Sequence, residues 1–210
     1  MPRVFIISDT HWGHGNIIRM CNRPFKDVNE MNRVMLTNWK ETVSDEDTVY
    51  HLGDVFWSRQ LARVIMPQLT GRITFLLGNH DKALLAIMSA YPQHTYVGSL
   101  YGNHIEEEGQ LRILSPVVAF LSHRPQDEAI WSRYGRYHFH GHTHDKLPSE
   151  GHRFNVSVEQ IGYRPVEITS LIKVIDTPKE YCKTCQSEQV TIPKLGGNIC
   201  SNCRRILSYH

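Results

Sequence analysis

Five short segments of this 210-residue chain end in residues that ligate metals: Asp9-Thr10-His11, Gly53-Asp54, Gly78-Asn79-His80-Asp81, His123, and Gly141-His142-Thr143-His144. Together they supply seven oxygen and nitrogen ligands and one spare histidine. Two adjacent divalent cations need a set of about that size, and the chemistry of such a pair is hydrolysis of a phosphate ester. Each residue alone has a plainer reading. An Asp after an apolar run is usually a turn former or helix cap, and an isolated His is usually a hydrogen-bonded polar residue. With thirteen histidines in the chain some spacings arise by chance, so the inference rests on the five blocks occurring together.

The elements that must position these blocks are legible just upstream of each. Arg3–Ser8 runs into Asp9, Thr48–Leu52 into Asp54, Arg72–Leu77 into Asn79, Val117–Ser122 into His123, and Tyr137–His140 into the last cluster. These runs are short, apolar and rich in β-branched and aromatic residues, and they read as buried strands. The polar blocks therefore fall where strands end, and in open α/β sheets ligands bind beyond the carboxyl ends of the strands.

In this order the pattern Asp-x-His, Gly-Asp, Gly-Asn-His-Asp, lone His and Gly-His-x-His resembles the calcineurin-like metallophosphoesterase superfamily over roughly the first 170 residues. The resemblance implies an α/β fold, a two-sheet sandwich flanked by helices, with a dinuclear centre at one end. It implies one ion held by Asp9, His11, Asp54 and His144, and a second by Asp54, Asn79, His123 and His142, with Asp54 bridging. His80 would bind no metal and would lie near the leaving-group oxygen.

The donor types agree with that assignment. Asp, His and one Asn amide suit Mn²⁺, Fe, Zn²⁺ or Co²⁺, and the absence of thiolate argues against a purely soft site. Only Asp9 and Asp54 are anionic, so two divalent ions leave a net positive charge of about two. That surplus suits an anionic phosphate and acidifies a bridging water, giving a hydroxide nucleophile for in-line attack on phosphorus. His80 would assist departure of the alcohol. The expected activity is therefore metal-dependent hydrolysis of a phosphodiester or nucleotide-type substrate. Two alternatives stay open: a phosphomonoesterase for small metabolites or nucleotides, and a nucleic-acid- or protein-binding module with a vestigial site.

The first block continues as Trp12-Gly13-His14-Gly15-Asn16-Ile17-Ile18-Arg19 and then Cys21-Asn22-Arg23-Pro24-Phe25, which resembles a small prokaryotic and phage-type branch of the superfamily. His14, Asn16, Arg19 and Arg23 are placed to reach substrate from this loop, and an arginine fork suits phosphate. The alternative is that Asn16 and Arg23-Pro24 only shape the loop. The second block reads Gly53-Asp54-Val55-Phe56-Trp57-Ser58-Arg59, without the second Asp of the protein Ser/Thr phosphatases, which argues against a phosphoprotein substrate.

Helices are expected between the strands. Asp27-Val28-Asn29-Glu30 has the form of a capping box, followed by a stripe of Val28, Met31, Val34, Met35 and Trp39 at helical spacing. A second helix should follow Ser58, with Leu61, Val64, Ile65 and Leu69 inward and Pro67 limiting it. A third should span Asp81 to Tyr91, with Leu84, Leu85 and Met88 inward. Glu106–Gly109 reads as a hairpin turn between Leu100-Tyr101 and Leu111–Leu114, and residues 154–158 and 166–172 as strands. Asn155 falls close to the last ligand cluster.

The chain changes character at Thr177-Pro178. Cys182-Lys183-Thr184-Cys185 and Cys200-Ser201-Asn202-Cys203 are two Cys-x-x-Cys pairs, and they predict a Cys₄ structural zinc site resembling a zinc ribbon. Domains are thus expected at 1–176 and 177–210, and so short a tail needs a metal in place of a core. No secretory h-region follows Met1, which favours a cytoplasmic location and reduced thiols over disulfides; Cys21 is left over. No stretch of 18 apolar residues suggests a membrane span. The tail has a net charge of +3 in a chain of +2, which suggests a nucleotide or nucleic-acid partner or a protein contact. Replacing Cys182 with Ser should release one zinc per chain and unfold the tail while leaving the histidine-rich centre loaded. Metal analysis showing full zinc retention would refute the ribbon.

Overall fold

The computed structural model describes the backbone of residues 2–101, 104–106, 110–114, 117–176, 180–182, 187–189, 191–194, 197–200 and 206–208, and the side chains of 2–98 and 118–173. The chain divides into two compact units, Met1–Glu167 and Ile168–His210.

In the first unit the elements run β1 (Val4–Ile7), α1 (Gly15–Met20), α2 (Val28–Thr42), β2 (Thr48–His51), α3 (Arg59–Ile65), β3 (Arg72–Leu76), α4 (Lys82–Leu85), β4 (Thr95–Val97), β5 (Ser99–Tyr101), β6 (His104–Glu106), β7 (Gln110–Leu114), β8 (Val117–Ser122), α5 (Glu128–Trp131), β9 (Tyr137–His140), β10 (Arg153–Asn155), α6 (Val158–Ile161) and β11 (Val166–Glu167). One sheet has the order β11-β1-β2-β3-β4, and a second has the order β10-β9-β8-β7. Only β11 and β7 run antiparallel to their neighbours. The architecture is mixed α/β with parallel-rich sheets.

Parallel strands covered on both faces read as continuous apolar runs. Phe5, Ile7, Val49, Ile73 and Phe75 belong to one buried cluster with Met31, Met35 and Trp39 of α2 and Ala62 and Ile65 of α3. Ile6 and Leu76 point to the other face by strand alternation and are also fully buried. Each such side chain contributes about 1.5–3 kcal/mol. The α2 stripe is held in register by its cap. Asp27 accepts from Glu30 N–H at 2.8 Å, and Glu30 Oε2 accepts from Lys26 N–H at 2.8 Å, one residue before the cap itself.

Several expected elements differ. The segment after Trp12 contains α1, because Ile17, Ile18 and Cys21 fall at helical spacing and pack inward. The third helix is only α4 followed by a 3₁₀ turn at Met88–Ala90; Ile87 is buried while Met88 is exposed. In α3, Ala62 and Ile65 face the core and Val64 faces solvent. The hairpin around Glu106–Gly109 is replaced by two pairings, β5 with β6 and β7 with β8, separated in sequence by Gly102-Asn103 and Ser115-Pro116; residues 107–109 lie outside those described. Residues 153–155 and 166–167 are strand as expected, whereas Val158 opens a helix and residues 168–172 are helical.

The second unit begins with α7 (Ile168–Asp176), where apolar residues at 168, 171 and 172 recur with helical period. It continues with β12 (Glu180–Cys182), β13 (Ser187–Gln189), β14 (Thr191–Lys194), β15 (Gly197–Cys200) and β16 (Ile206–Ser208). β12 pairs with β13, and β14-β15-β16 form a small antiparallel sheet. Cys182 and Cys200 end strands of these two sheets, while Cys185, Cys203 and all four cysteine side chains lie outside the described residues, and with them the zinc ribbon. Among the described residues no helix is long and apolar enough to cross a membrane.

Asp47 closes the edge of the first unit. It is 2% exposed, and its carboxylate accepts from Ser44 N–H, Arg3 N–H and the Arg3 guanidinium, each at 2.8 Å. Burial alone would raise its pKa, but these bonds outweigh burial and hold the carboxyl well below the usual range. A carboxyl with a depressed folded pKa stabilises the fold above its unfolded pKa, about 4, and loses that contribution as the pH falls below it. Asp47→Asn should therefore cost about 1–3 kcal/mol in urea unfolding at pH 7. The gap to wild type should narrow below about pH 4; a gap independent of pH would show that the charge is not what Asp47 contributes.

Candidate metal centre

Every expected ligand lies just past the carboxyl end of a strand, as Asp9 follows β1, Asp54 β2, Asn79 β3, His123 β8, and His142 and His144 β9. Their backbone is unusual. Asp9, His11, Asp54, His142 and His144 all have positive φ, from 48° to 66°, and only Asn22 and Tyr163 share this among the other described non-glycine residues. Left-handed backbone at such residues costs of order 1–3 kcal/mol each and clusters where function requires it. The strain is held by a dense backbone network: Asp9 N–H bonds Gly53 O (3.0 Å), His11 N–H bonds Asp54 O (2.9 Å), and Trp12 N–H bonds Val55 O (2.8 Å). Asp81 adds three more bonds, accepting from Asp54 N–H and Val55 N–H at 2.7 Å and from Gly78 N–H at 2.8 Å. Close approach explains the motif glycines. A Cβ on Gly141 would collide with Ser8 Oγ and the Asp9 carboxylate, and one on Gly53 would meet Gly78 N at 2.6 Å.

The ligands gather in two groups, Asp9 with His11 and His144, and Asp54 with His123 and His142. Within each group the donor atoms lie within 4.8 Å of one another. Asp54 stands between them, its Oδ2 3.4 Å from His11 Nε2 and 3.7 Å from His123 Nε2. Asn79 Oδ1 and His142 Nδ1 are each 3.2 Å from His123 Nε2. His123 Nδ1 meets the carbonyl of Leu52 at 2.7 Å. A carbonyl only accepts, so that nitrogen carries the proton and Nε2 faces the cluster as a lone pair.

Several features fit a cation here. Asp9 Oδ1 and both ring nitrogens of His11 are buried without a hydrogen-bond partner, a costly arrangement in a protein interior. Burial, followed by the charges of Asp9 and Asp81, pushes the Asp54 carboxyl up to about 9. Burial and the neighbouring His123 push His142 down to about 4. The pocket thus resists a bare carboxylate at Asp54 and imidazolium at His11 and His142. Divalent ions would reverse the carboxylate penalty and use the neutral imidazoles. The donor set, His nitrogens with Asp and Asn oxygens, is suited to first-row divalent metals.

His80 joins neither group. Its N–H donates to Asp54 Oδ1 at 2.9 Å, and its ring lies at the mouth, lining a cavity of about 160 Å³ together with His11, Asp54, His142 and His144. Burial and the charge of Arg124 hold its pKa below the usual imidazole value. Arg124, which the sequence reading passed over, donates to His142 Nε2 (2.6 Å) and Asn79 Oδ1 (3.3 Å) at the same mouth.

The four residues expected to touch substrate separate. His14 lines the cavity and stacks on Trp57. Asn16 and Arg19 are exposed on α1 and do not line it. Arg23 does not reach substrate at all, because its guanidinium is fully buried beneath the centre. It donates to Thr10 O (3.0 Å) and Asp9 O (2.8 Å), and pairs with Glu159 at 2.7 Å. Glu159 in turn faces His144 Nδ1 at 3.0 Å, leaving Nε2 directed at Asp9 Oδ1, 4.0 Å away. Burial opposes protonation of His144, but its bonds to Cys21 and Glu159 and the charge of Asp9 outweigh it and hold the pKa near about 10. The extra proton sits where a cation would replace it. Neither Glu159 nor Ser157, whose Oγ is 2.9 Å from Asp9 Oδ2, was singled out from sequence, since both follow the last motif without a ligand spacing. Asn155 braces the His144 loop, its amide 2.8 Å from His144 O and 2.6 Å from Leu147 O.

Comparison with known proteins bears on this geometry. Residues 2–156 match the family described as calcineurin-like phosphoesterase. An uncharacterized protein of Methanocaldococcus jannaschii is 34% identical over 189 residues, covering 85% of this chain and 94% of that protein. The gene 66 protein of Mycobacterium phage L5 is 26% identical over 171 residues, covering 70% and 80% of the two chains. The crystal structure of a protein of unknown function from Aquifex aeolicus superposes with a TM-score of 0.62 at 26% identity, over 83% of this chain and 100% of that one.

Glu159→Gln keeps the side chain's shape and removes the charge that orients His144. It should weaken binding of one ion about 10–100-fold, seen as metal content falling from two towards one per chain after dialysis. Unchanged affinity for both ions would show that His144 does not depend on this carboxylate.

Proposed function

This chain belongs to the calcineurin-like phosphoesterase family, which implies a metal-dependent phosphoester hydrolase, and from that premise we propose a dinuclear enzyme acting on a phosphodiester or nucleotide-type substrate. The observation that carries the reading is the pair of ligand groups with Asp54 standing between them and His80 at their mouth. Asp9, His11, Asp54 and His144 would hold one ion, and Asp54, Asn79, His123 and His142 the other. Bound there, divalent ions supply Lewis acidity toward a phosphoryl oxygen and acidify coordinated water.

The chain's own residues supply orientation and proton handling. Burial and Arg124 disfavour the charged form of His80, and the neutral ring offers one N–H to donate toward the leaving oxygen and one lone pair. Its backbone bond to Asp54 fixes its distance from the shared ligand. Arg124 places a positive charge at the mouth, where a phosphoryl oxygen would enter. The cavity itself is lined by histidines, Asp54 and the apolar side chains of Ile17, Met20 and Trp57, so the second ester group of a diester would have apolar surface to rest against.

Protein stripped and reloaded with Mn²⁺ should hydrolyse bis-p-nitrophenyl phosphate faster than p-nitrophenyl phosphate. Asp54→Asn should abolish turnover and lower the content of both metals. His80→Ala should lower kcat about 10²–10⁴-fold with full metal content. Turnover of the monoester alone would overturn the diester preference, and loss of metal from His80→Ala would remove its proposed role.

A further inference from the structure

Trp57 stands apart from the other tryptophans. Trp12, Trp39 and Trp131 are 0%, 0% and 5% exposed, whereas Trp57 is 48% exposed. An indole left in water forfeits hydrophobic stabilisation, so its placement needs another cause. The backbone shows how it is held. Trp57 N–H donates to Trp12 O at 2.9 Å, and Trp12 and Phe56 form a parallel bridge, so the segments following β1 and β2 are zipped side by side. His14, itself 8% exposed, lies flat on the indole, with centroids 3.8 Å apart and planes 8° from parallel. The indole is 5.4 Å from the His80 ring and 6.5 Å from the His11 ring. Ile17 and Met20 line the same cavity of about 160 Å³, and Met20 is 66% exposed.

We infer that Trp57, backed by His14, is a stacking platform for the planar base of a nucleotide-type substrate whose phosphate lies over the candidate metal ligands. This rests on the phosphoesterase reading and narrows its substrate class. The cavity is lined both by nitrogen and oxygen ligands and by a flat aromatic surface beside an adaptable methionine. A phosphoester of matching shape carries its charge at one end and a planar ring at the other. A bare sugar would bring several hydroxyls to a wall of Ile17, Met20 and Trp57 whose one side-chain donor is the indole N–H. A lipid tail would need a longer apolar groove than three side chains provide. A rigid platform stacks a base at little entropic cost, because His14 already fixes the ring.

The test compares AMP, ribose 5-phosphate and inorganic phosphate by calorimetry on Mn²⁺-loaded protein, with metal content measured on every variant. AMP should bind wild type at least tenfold more tightly than ribose 5-phosphate, a ratio within the range that base–aromatic stacking supplies. Trp57→Ala should bring the two ligands within about twofold of each other, and Trp57→Phe should restore part of the preference. A ratio near one in wild type, or a preference that survives Trp57→Ala at full metal content, overturns the platform while phosphoester hydrolysis stands. Failure of all three ligands to bind would overturn the platform, while turnover of bis-p-nitrophenyl phosphate by the same loaded protein decides separately whether the phosphoester reading stands.

Discussion

The carboxylate of Asp81 is fully buried and spends both oxygens on backbone: Oδ2 on the N–H groups of Asp54 and Gly78, Oδ1 on that of Val55. Those bonds join the turn after β2 to the turn after β3 and set where Asp54 points. Bonds to a charged group contribute roughly 1.5–3 kcal/mol each, and removing their acceptor would leave three buried donors unpaired. Asp54, held in a left-handed conformation, then stands between the two histidine groups. Any shift of Asp81 would move the one carboxylate that stands between the two groups.

Arg23 plays the corresponding part on the opposite side. It caps the carbonyls of Asp9 and Thr10, where the chain leaves β1 in another left-handed turn, and it neutralises Glu159. A buried ion pair of this kind is weak evidence for net stability, because desolvation offsets much of the attraction. Its value here is positional. Arg23 comes from the segment after α1 and Glu159 from α6, 136 residues apart, and the pair locks His144 to the turn that bears Asp9. Left-handed strain and the buried carboxylates of Asp9, Asp54 and Asp81 are thus concentrated at one rim, while the sheets beneath are largely apolar packing.

That division explains which parts of the protein were legible in its sequence. The strands were, because a buried parallel strand is a continuous apolar run and its end is marked by Gly or a polar block. The candidate ligands were, because each block follows such a run. Asp27 and Glu30 announced α2 through local bonding that needs no tertiary context. For Arg23 the sequence leaves substrate contact and loop shaping open for a physical reason: a guanidinium beside a phosphate site and one beneath it look alike in sequence, and only the fold shows that two backbone carbonyls and Glu159 consume its donors. Glu159 itself carries no spacing signal. Residues 168–172 read as strand in sequence because their β-branched residues obscure a helical period. Met88 reads as inward only in a longer helix, whereas the break after Leu85 turns Ile87 to the core instead.

The same economy of scaffold links the candidate metal centre to the proposed platform. The segment from Asp9 to His14 supplies two ligands, then Trp12 for the core, then the ring that backs Trp57, all within six residues. The segment from Asp54 to Trp57 mirrors it, giving the shared ligand, the buried Val55 and Phe56, and the exposed indole. Because Trp12 and Phe56 bridge these two segments, the distance from ligands to indole is set by backbone hydrogen bonds rather than by flexible side chains. A substrate that engages both would find them already in register, so little orientation would have to be gained on binding.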